Sequence, residues 1–141
     1  MSFWRSIGST NIIVDGNGSP INCNECPCDI TPGDTCEGST RVSVGVTYGP
    51  FQINAVESHW FFVEDFAGGN ISLTYNFISG TPDAADSYAI YSDCETLVEQ
   101  ASADTDGCID VNVIGGDVFF NVRADVSNFE YSITIEEGEC P

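Results

Sequence analysis

Four of the seven cysteines lie close together near the start of the chain, and cysteine thiolates either bind metals or pair as disulfides. A Cys-x-x-Cys pair followed by two more thiols can hold Zn²⁺ in a tetrahedral site. The alternative is disulfide pairing within this group or with Cys140. The four candidates are Cys23, Cys26, Cys28 and Cys36.

Acidic residues surround this cysteine patch and weigh against zinc. Four thiolates on one Zn²⁺ already give a net negative site, which nearby carboxylates destabilise further. The neighbouring acids are Glu25, Asp29, Asp34 and Glu37. We therefore predict disulfides in preference to zinc, with one of the first three cysteines reaching Cys36 or Cys140.

Two loops with closely spaced aspartates are candidates for a calcium site, because Ca²⁺ takes several oxygen ligands from flexible loops. The segment TPDAADS contains Asp83 and Asp86, and the segment ASADTDG contains Asp104 and Asp106. The spacing does not match a complete EF-hand loop. We therefore favour the simpler interpretation, in which these acids keep the loops in solvent, and we retain calcium as the alternative.

Two further cysteines, Cys94 and Cys108, flank the second of these acidic loops. A disulfide between them would close the loop and restrict the unfolded chain. An odd cysteine count also means that at least one thiol is free, joined to another chain or bound to a metal.

A catalytic set is not recognisable in the sequence. The single histidine, His59, follows Ser58 and Glu57, but adjacent residues on a strand point to opposite faces and do not converge. Acidic residues that are adjacent in the sequence also point to opposite faces of a strand. The sequence does not indicate two carboxyl groups that would face each other across a sugar, as a glycosidase requires. We predict that the chain is not an enzyme.

Glycan binding is an alternative function, with the rings of Trp60, Tyr88 and Tyr91 as candidates. Packing in the core or at an interface would explain these three rings equally well.

The charge balance excludes several classes of partner. The formal net charge is −19, the basic residues are Arg5, Arg41 and Arg123, and there is no lysine. Phosphate backbones and anionic membrane surfaces are bound by clustered Lys and Arg, so neither partner is expected.

No apolar run is long enough to span a membrane, and the first residues lack the pattern of a secretory signal.

Most of the chain has the period-two pattern of half-buried strands. Ile71, Leu73, Tyr75 and Phe77 alternate with polar residues, and the preceding Gly68-Gly69-Asn70 predicts a hairpin with the HWFFVEDF run. Similar runs recur at intervals of about ten residues. The expected fold is all-β: an antiparallel β-sandwich or jelly roll of about eight strands. ETLVEQASA, residues 95–103, is expected to be a loop or a single helical turn.

The first 37 residues differ from the rest and are expected to form a separate N-terminal β-ribbon or extended arm, with the β-sandwich at 38–141. The arm carries apolar residues without a sustained period, and aromatic residues often anchor interfaces. Its candidate interface residues are Phe3, Trp4, Ile7, Ile12, Ile13 and Val14.

The strings WFFVEDFAGGNISLTYNF, GTPDAADSYAIYSDC and GGDVFFNVRADVSNFEYSITI resemble the bacterial pre-peptidase C-terminal (PPC-like) domain over about residues 57–137. In that family an acidic, tyrosine-rich strand precedes a glycine-led strand and a closing strand, for which SYAIY, GGDVFFNV and FEYSITI stand here. The resemblance implies a β-sandwich found beside secreted enzymes. Here Asp86 is the one acid kept of the family's usual pair.

The first forty residues, with WRSIGSTNIIVDGNGSPINCNECPCD, resemble the openings of small tailed-phage virion proteins. That resemblance implies a non-enzymatic structural protein, such as a capsid decoration, neck or tail appendage. It would dock on other particle subunits through the arm, as a homo-oligomer or within a lattice. The alternative is a secreted accessory or carbohydrate-binding module that uses calcium.

Overall fold

A computed structural model of the protein describes residues 30–141, and within this range the chain from Thr31 to Pro141 is one compact unit. The described residues form nine strands and no helix. The strands are Thr40–Arg41 (β1), Val46–Ile53 (β2), Ser58–Phe66 (β3), Gly69–Gly80 (β4), Ser87–Asp93 (β5), Thr96–Ser102 (β6), Gly107–Val113 (β7), Gly116–Arg123 (β8) and Phe129–Glu137 (β9). This part of the chain contains no helix that is long and apolar enough to cross a membrane.

The strands form two sheets, which confirms the predicted β-sandwich. One sheet has four strands in the order β2-β9-β4-β7, and the other has five in the order β1-β3-β8-β5-β6. All neighbours are antiparallel except β1 and β3, which are parallel. Each sheet as described therefore has two edge strands, and β6 lies at one edge of the five-stranded sheet.

The alternating pattern in the sequence explains the core between the sheets. In β4 the side chains of Ile71, Leu73 and Tyr75 are buried, and in β9 every second residue from Phe129 to Ile135 is buried. A strand turns successive side chains to opposite faces, so this pattern gives one apolar face for each sheet. Polar residues lie on the other face of the four-stranded sheet, where Thr47 and Thr134 bond across two strands at 2.7 Å.

The expected hairpin at Gly68-Gly69-Asn70 is wrong, because β3 and β4 belong to different sheets. The two glycines have φ of 101° and 109°, so they do adopt the positive φ values that the turn prediction assumed. The short connection, however, carries the chain across the sandwich. Both runs bury one apolar face, and two such faces pack best against each other from opposing layers.

One other segment also differs from the sequence-based prediction. Residues 95–103 were expected to be a loop or a single helical turn, but Thr96–Ser102 forms β6 as an exposed edge strand. Strand β2 runs through the Gly49-Pro50 step, from Val46 to Ile53. The register against β9 shifts at this point, which lets the edge strand accommodate a proline.

Two disulfides join distant parts of the sandwich, and neither is the expected Cys94–Cys108 bridge. Cys36 is bonded to Cys94, and Cys108 is bonded to Cys140. The expected pair is wrong because Cys94 follows a strand of the five-stranded sheet, whereas Cys108 lies in a strand of the four-stranded sheet. Disulfides persist in oxidising environments, so these bridges indicate an extracellular or secreted protein.

The strand connections gather at two opposite ends of the sandwich. The first, which we call the Asp86 end, consists of residues 54–57, 81–86, 103–106 and 124–128. The second, which we call the Cys94 end, consists of residues 67–68, 94–95, 114–115 and 138–141. Residues that could do chemistry are found at both ends, but they are used differently.

Candidate functional site

At the Asp86 end, one carboxylate connects three loops. The side chain of Asp86 is fully buried, and its two oxygens accept hydrogen bonds from the backbone N–H of Asp83 at 2.8 Å and of Asp125 at 2.6 Å. The backbone carbonyl of Asp86 also accepts a bond from the N–H of Ala103 at 2.8 Å. A buried carboxylate requires such partners, and here the backbone supplies them. Asp86 is therefore a structural residue that joins the β4–β5, β6–β7 and β8–β9 loops.

The other three predicted calcium ligands are also used by nearby groups. Oδ1 of Asp83 accepts the N–H of Ala85, Oδ1 of Asp104 accepts the hydroxyl of Ser102, and Oδ1 of Asp106 accepts the N–H of Phe77 at 2.7 Å. Within residues 30–141 no three acidic, histidine or cysteine side chains lie close enough to hold a metal ion. The described fold thus does not bring Asp83, Asp86, Asp104 and Asp106 together as a calcium site, because their oxygens stabilise separate loops.

Tyrosines next to these acids belong to the core. The hydroxyl of Tyr75 donates a hydrogen bond to the carbonyl of Ala103 at 2.8 Å, and its ring stacks on Tyr88 with centroids 4.8 Å apart. Burial raises the pKa of Tyr75, and the nearby charges of Asp106 and Asp86 raise it further. The pKa of Tyr88 is raised for the same main reason. Both phenols therefore stay protonated and act as packing groups.

The single histidine faces the core. Nδ1 of His59 lies 2.6 Å from the hydroxyl oxygen of Tyr131, and the Tyr131 side chain is fully buried. Burial lowers the pKa of His59, although the charge of Glu57 partly opposes this shift. Burial also raises the pKa of Tyr131 well above its ordinary value. The two side chains therefore form an uncharged hydrogen bond between the sheets, and the ring of Phe51 lies nearly perpendicular to the histidine ring, with centroids 6.4 Å apart.

The three candidate glycan-binding rings lie on different faces. Tyr88 is buried in the core, so the part of the glycan prediction that used it is wrong. Trp60 and Tyr91 are half-buried on the outer face of the five-stranded sheet, with ring centroids 5.0 Å apart. Phe62 and Phe119 stack beside them at 6.0 Å. We call these four residues the outer aromatic face.

The candidate zinc set is not available as predicted. Cys36 is bonded to Cys94 and cannot act as a thiolate ligand. The preferred prediction, a disulfide from one of the first three cysteines to Cys36 or Cys140, is also wrong, because Cys140 is bonded to Cys108. The other three members of the set, and all six candidate interface residues, lie outside the described residues: Cys23, Cys26, Cys28, Phe3, Trp4, Ile7, Ile12, Ile13 and Val14.

A cleft of about 440 Å³ opens at the Cys94 end, between the β5–β6 hairpin and the turn that joins β7 to β8. Ser92, Asp93 and Val98 line one wall, and Ile114 and Asp117 lie on the other side. Sequence reasoning missed this cleft. The sequence contains one local sign of the cleft: an isoleucine stands directly before the Gly115-Gly116 turn, where a polar residue is more usual.

The β5–β6 hairpin is irregular where it borders the cleft. Ile90 pairs with Glu99 and Tyr91 with Leu97, so Val98 is an extra residue in β6. The register shifts again beyond Tyr91, which leaves Ser92 as the extra residue in β5. Such bulges turn side chains away from the regular pleat. Both extra residues line the cleft.

The carboxylates of the cleft are held by hydrogen bonds at the surface. Asp93 accepts bonds from the N–H of Glu95 at 2.8 Å and from the hydroxyl of Thr96 at 3.1 Å, and these bonds lower its pKa. Oδ1 of Asp117 accepts the N–H of Asp65 at 3.0 Å. Both aspartates remain exposed, so they present negative charge to solvent at this end.

Solved structures share this fold. The pre-peptidase C-terminal domain of a collagenase from Bacillus anthracis superposes with a TM-score of 0.53, covering 77% of this chain and 100% of that chain. The sequences are 12% identical, so the likeness shows the β-sandwich fold alone. It agrees with the PPC-like strand pattern seen in the sequence. No family model matches the chain, and no curated protein matches it.

Proposed function

We propose that this chain is a non-catalytic, extracellular binding module that uses its β-sandwich to contact another protein. One observation carries the proposal: groups able to do chemistry stabilise the fold, while apolar side chains remain in solvent at the Cys94 end. His59 and Asp86 bond to core and backbone groups, whereas Ile114 is fully exposed and Leu97 and Val98 are each 44% exposed. Exposed apolar groups that lie together typically mark an interaction surface.

The finer proposal is that the module is a component of an extracellular particle such as a phage virion. Two disulfides and a strongly acidic surface suit a protein that works in the medium. The resemblance of the first forty residues to tailed-phage virion proteins supports the particle, and in this proposal the N-terminal arm docks on its other subunits. A secreted accessory module is the alternative within the same class.

Fractionation of the source culture distinguishes these proposals. With antibodies to the full chain, we expect the protein in the medium, with particle-bound copies sedimenting in a density gradient and accessory-module copies staying in the supernatant. A chain found only in cells, with thiols accessible to alkylation, would contradict an extracellular role.

Carbodiimide coupling then tests whether the module binds a protein. The reagent joins carboxylates to lysine amines, and this chain has many carboxylates but no lysine. Apart from the α-amino group, every coupled product must therefore contain a different protein. We expect a discrete product of higher mass, and its absence from native fractions would count against the binding function.

Glycan binding at the outer aromatic face is a second candidate, favoured by the close pair of Trp60 and Tyr91. Aromatic rings at the surface stack on the apolar faces of sugars. A glycan array followed by calorimetry tests it: binding that is lost in Trp60→Ala and kept in Ile114→Ser would support this candidate over protein binding.

A further inference from the structure

We propose that the cleft at the Cys94 end binds an extended, basic segment of a partner protein. In this complex an apolar side chain of the segment packs against Ile114 and Val98, and its lysine or arginine side chains face the acids at the rim. The inference rests on the protein-binding function proposed above, and it specifies the surface and the chemistry of the partner.

The apolar residues around the cleft are the first reason. Of the residues that line it, Ile114 is fully exposed, and Val98 on the facing strand is 44% exposed. The turn after Ile114 needs positive φ at Gly115 and Gly116, which have φ of 120° and 100°, but it makes no demand for an isoleucine. An apolar side chain of this size gains about tenfold or more in affinity when a partner removes it from water.

The shape of the hairpin is the second reason. Val98 and Ser92, the extra residues of the two bulges, both turn toward the cleft. In addition, the Cys36–Cys94 disulfide fixes residue 94 at the tip of the same hairpin. The wall of the cleft is therefore preformed, so binding does not have to order it.

The exposed edge strand explains why the partner segment should be extended. In the described part of the chain, β6 pairs with β5 on one side and is the last strand of its sheet. Residues Thr96 to Gln100 are all exposed. A strand edge of this kind offers backbone N–H and C=O groups to an added strand, and alternate side chains of that strand then fill pockets.

Charge determines which segment fits. Asp93 and Asp117 line the cleft, and the exposed Glu95 and Glu99 lie on the hairpin beside it. No arginine lies among these lining residues, and the chain carries a formal net charge of −19. A second copy of the chain would bring like charges together at this edge, whereas a segment rich in lysine or arginine would neutralise them.

The test measures fluorescence anisotropy of a labelled nonapeptide in which lysine alternates with leucine or valine, at 150 mM salt. We expect saturable binding to the full chain that weakens about tenfold in Ile114→Ser. The Asp93→Asn/Asp117→Asn double variant should weaken it about fivefold. Peptides with glutamate in place of lysine, or serine in place of leucine and valine, should not bind.

Matched variants at the Asp86 end separate the cleft from general attraction to an acidic protein. Val126→Ser removes another exposed apolar residue, and Asp83→Asn/Asp104→Asn removes the same number of charges while keeping acceptor oxygens. Both should change the affinity by less than about twofold. The inference would be overturned if the variants at the two ends lost equal amounts of peptide affinity, or if the peptide showed no saturable binding to the full chain.

Mapping the carbodiimide products keeps this inference separate from the proposed function. Coupling of the native partner through Asp93, Glu95, Glu99 or Asp117 supports the cleft. A coupled partner attached only through carboxylates elsewhere overturns the cleft but leaves protein binding intact. The absence of any coupled partner overturns both proposals.

Discussion

The two ends of the sandwich differ in the burial of their acids and in the groups beside them. At both ends aspartate oxygens accept backbone N–H bonds, but at the Asp86 end one of these carboxylates, that of Asp86, is fully buried and joins three loops. At the Cys94 end, acids stay at the surface beside exposed apolar residues, and a disulfide holds the hairpin. A cluster of aspartates in a sequence therefore does not by itself indicate a ligand, because burial and hydrogen bonding decide its role.

The largest expected effect comes from the covalent tie of the Cys94 end. The Cys36–Cys94 bridge spans 58 residues and the Cys108–Cys140 bridge spans 32. From loop-closure entropy, replacing both cysteines of a pair with serine should lower the free energy of unfolding by about 4 kcal/mol, slightly more for the longer loop. Urea unfolding of the two double variants measures it.

The Cys36→Ser/Cys94→Ser variant also sharpens the comparison between the ends. Limited proteolysis should cut it near residues 94–95, while the loops of the Asp86 end keep their protection. Equal protection of the hairpin in the variant and the parent would show that the disulfide does not hold this end.

The next largest effect is expected at Asp86. Asp86→Ala removes a buried carboxylate and leaves the N–H groups of Asp83 and Asp125 without acceptors. We expect a loss of about 3 kcal/mol in the free energy of unfolding, measured by urea denaturation. The control is Asp104→Ala, whose exposed carboxylate should contribute less than about 1 kcal/mol. Similar losses in the two variants would contradict the structural role assigned to Asp86.

A smaller effect of opposite sign is expected in the β2–β3 loop. Val56 is 85% exposed with φ of 62°, a conformation that is strained for a β-branched residue. The backbone bond from its N–H to the carbonyl of Asp125 holds it there at 3.0 Å. Val56→Asn should raise the free energy of unfolding by about 1 kcal/mol, as measured by thermal and urea unfolding.

Val126→Asn is the matched control for this substitution. Val126 is 68% exposed at the same end and does not have a positive φ, so it should change stability by less than about 0.5 kcal/mol. A gain of the same size in the control would mean that removing an exposed valine, and not relief of backbone strain, causes the effect.

The fold followed from the sequence because alternation of apolar residues directly encodes a buried face. Tyr88 and Ile90 on β5, like Ile71 and Leu73 on β4, lie where the pattern predicts. The choice of sheet did not follow, since the same Gly-Gly step suits a hairpin and a crossing between layers. The connection between β3 and β4 crosses from one sheet to the other.

The site was less predictable because it depends on residues that are distant in the chain. The disulfide partners are 58 and 32 residues apart, and many pairings of the cysteines satisfy the sequence. The cleft combines a hairpin of the five-stranded sheet with the connection that joins the two sheets between β7 and β8, and its wall depends on two bulges. A bulge depends on how two strands are paired, and the residues next to Val98 and Ser92 in the sequence give no sign of it.

The smallest expected effect is a pH dependence from His59, which lies on β3 near the Asp86 end. Burial lowers its pKa below the ordinary value of 6.5, so below about pH 6.5 the unfolded chain binds a proton more readily than the folded chain. Stability from this residue is therefore fully present above pH 6.5 and decreases as the pH falls toward the lower, folded-state pKa. Urea midpoints between pH 5 and pH 8 should show this decrease in the parent and a smaller one in His59→Gln. Parallel profiles would mean that the carboxylates of both ends, and not the bond between His59 and Tyr131, control the response of the fold to acid.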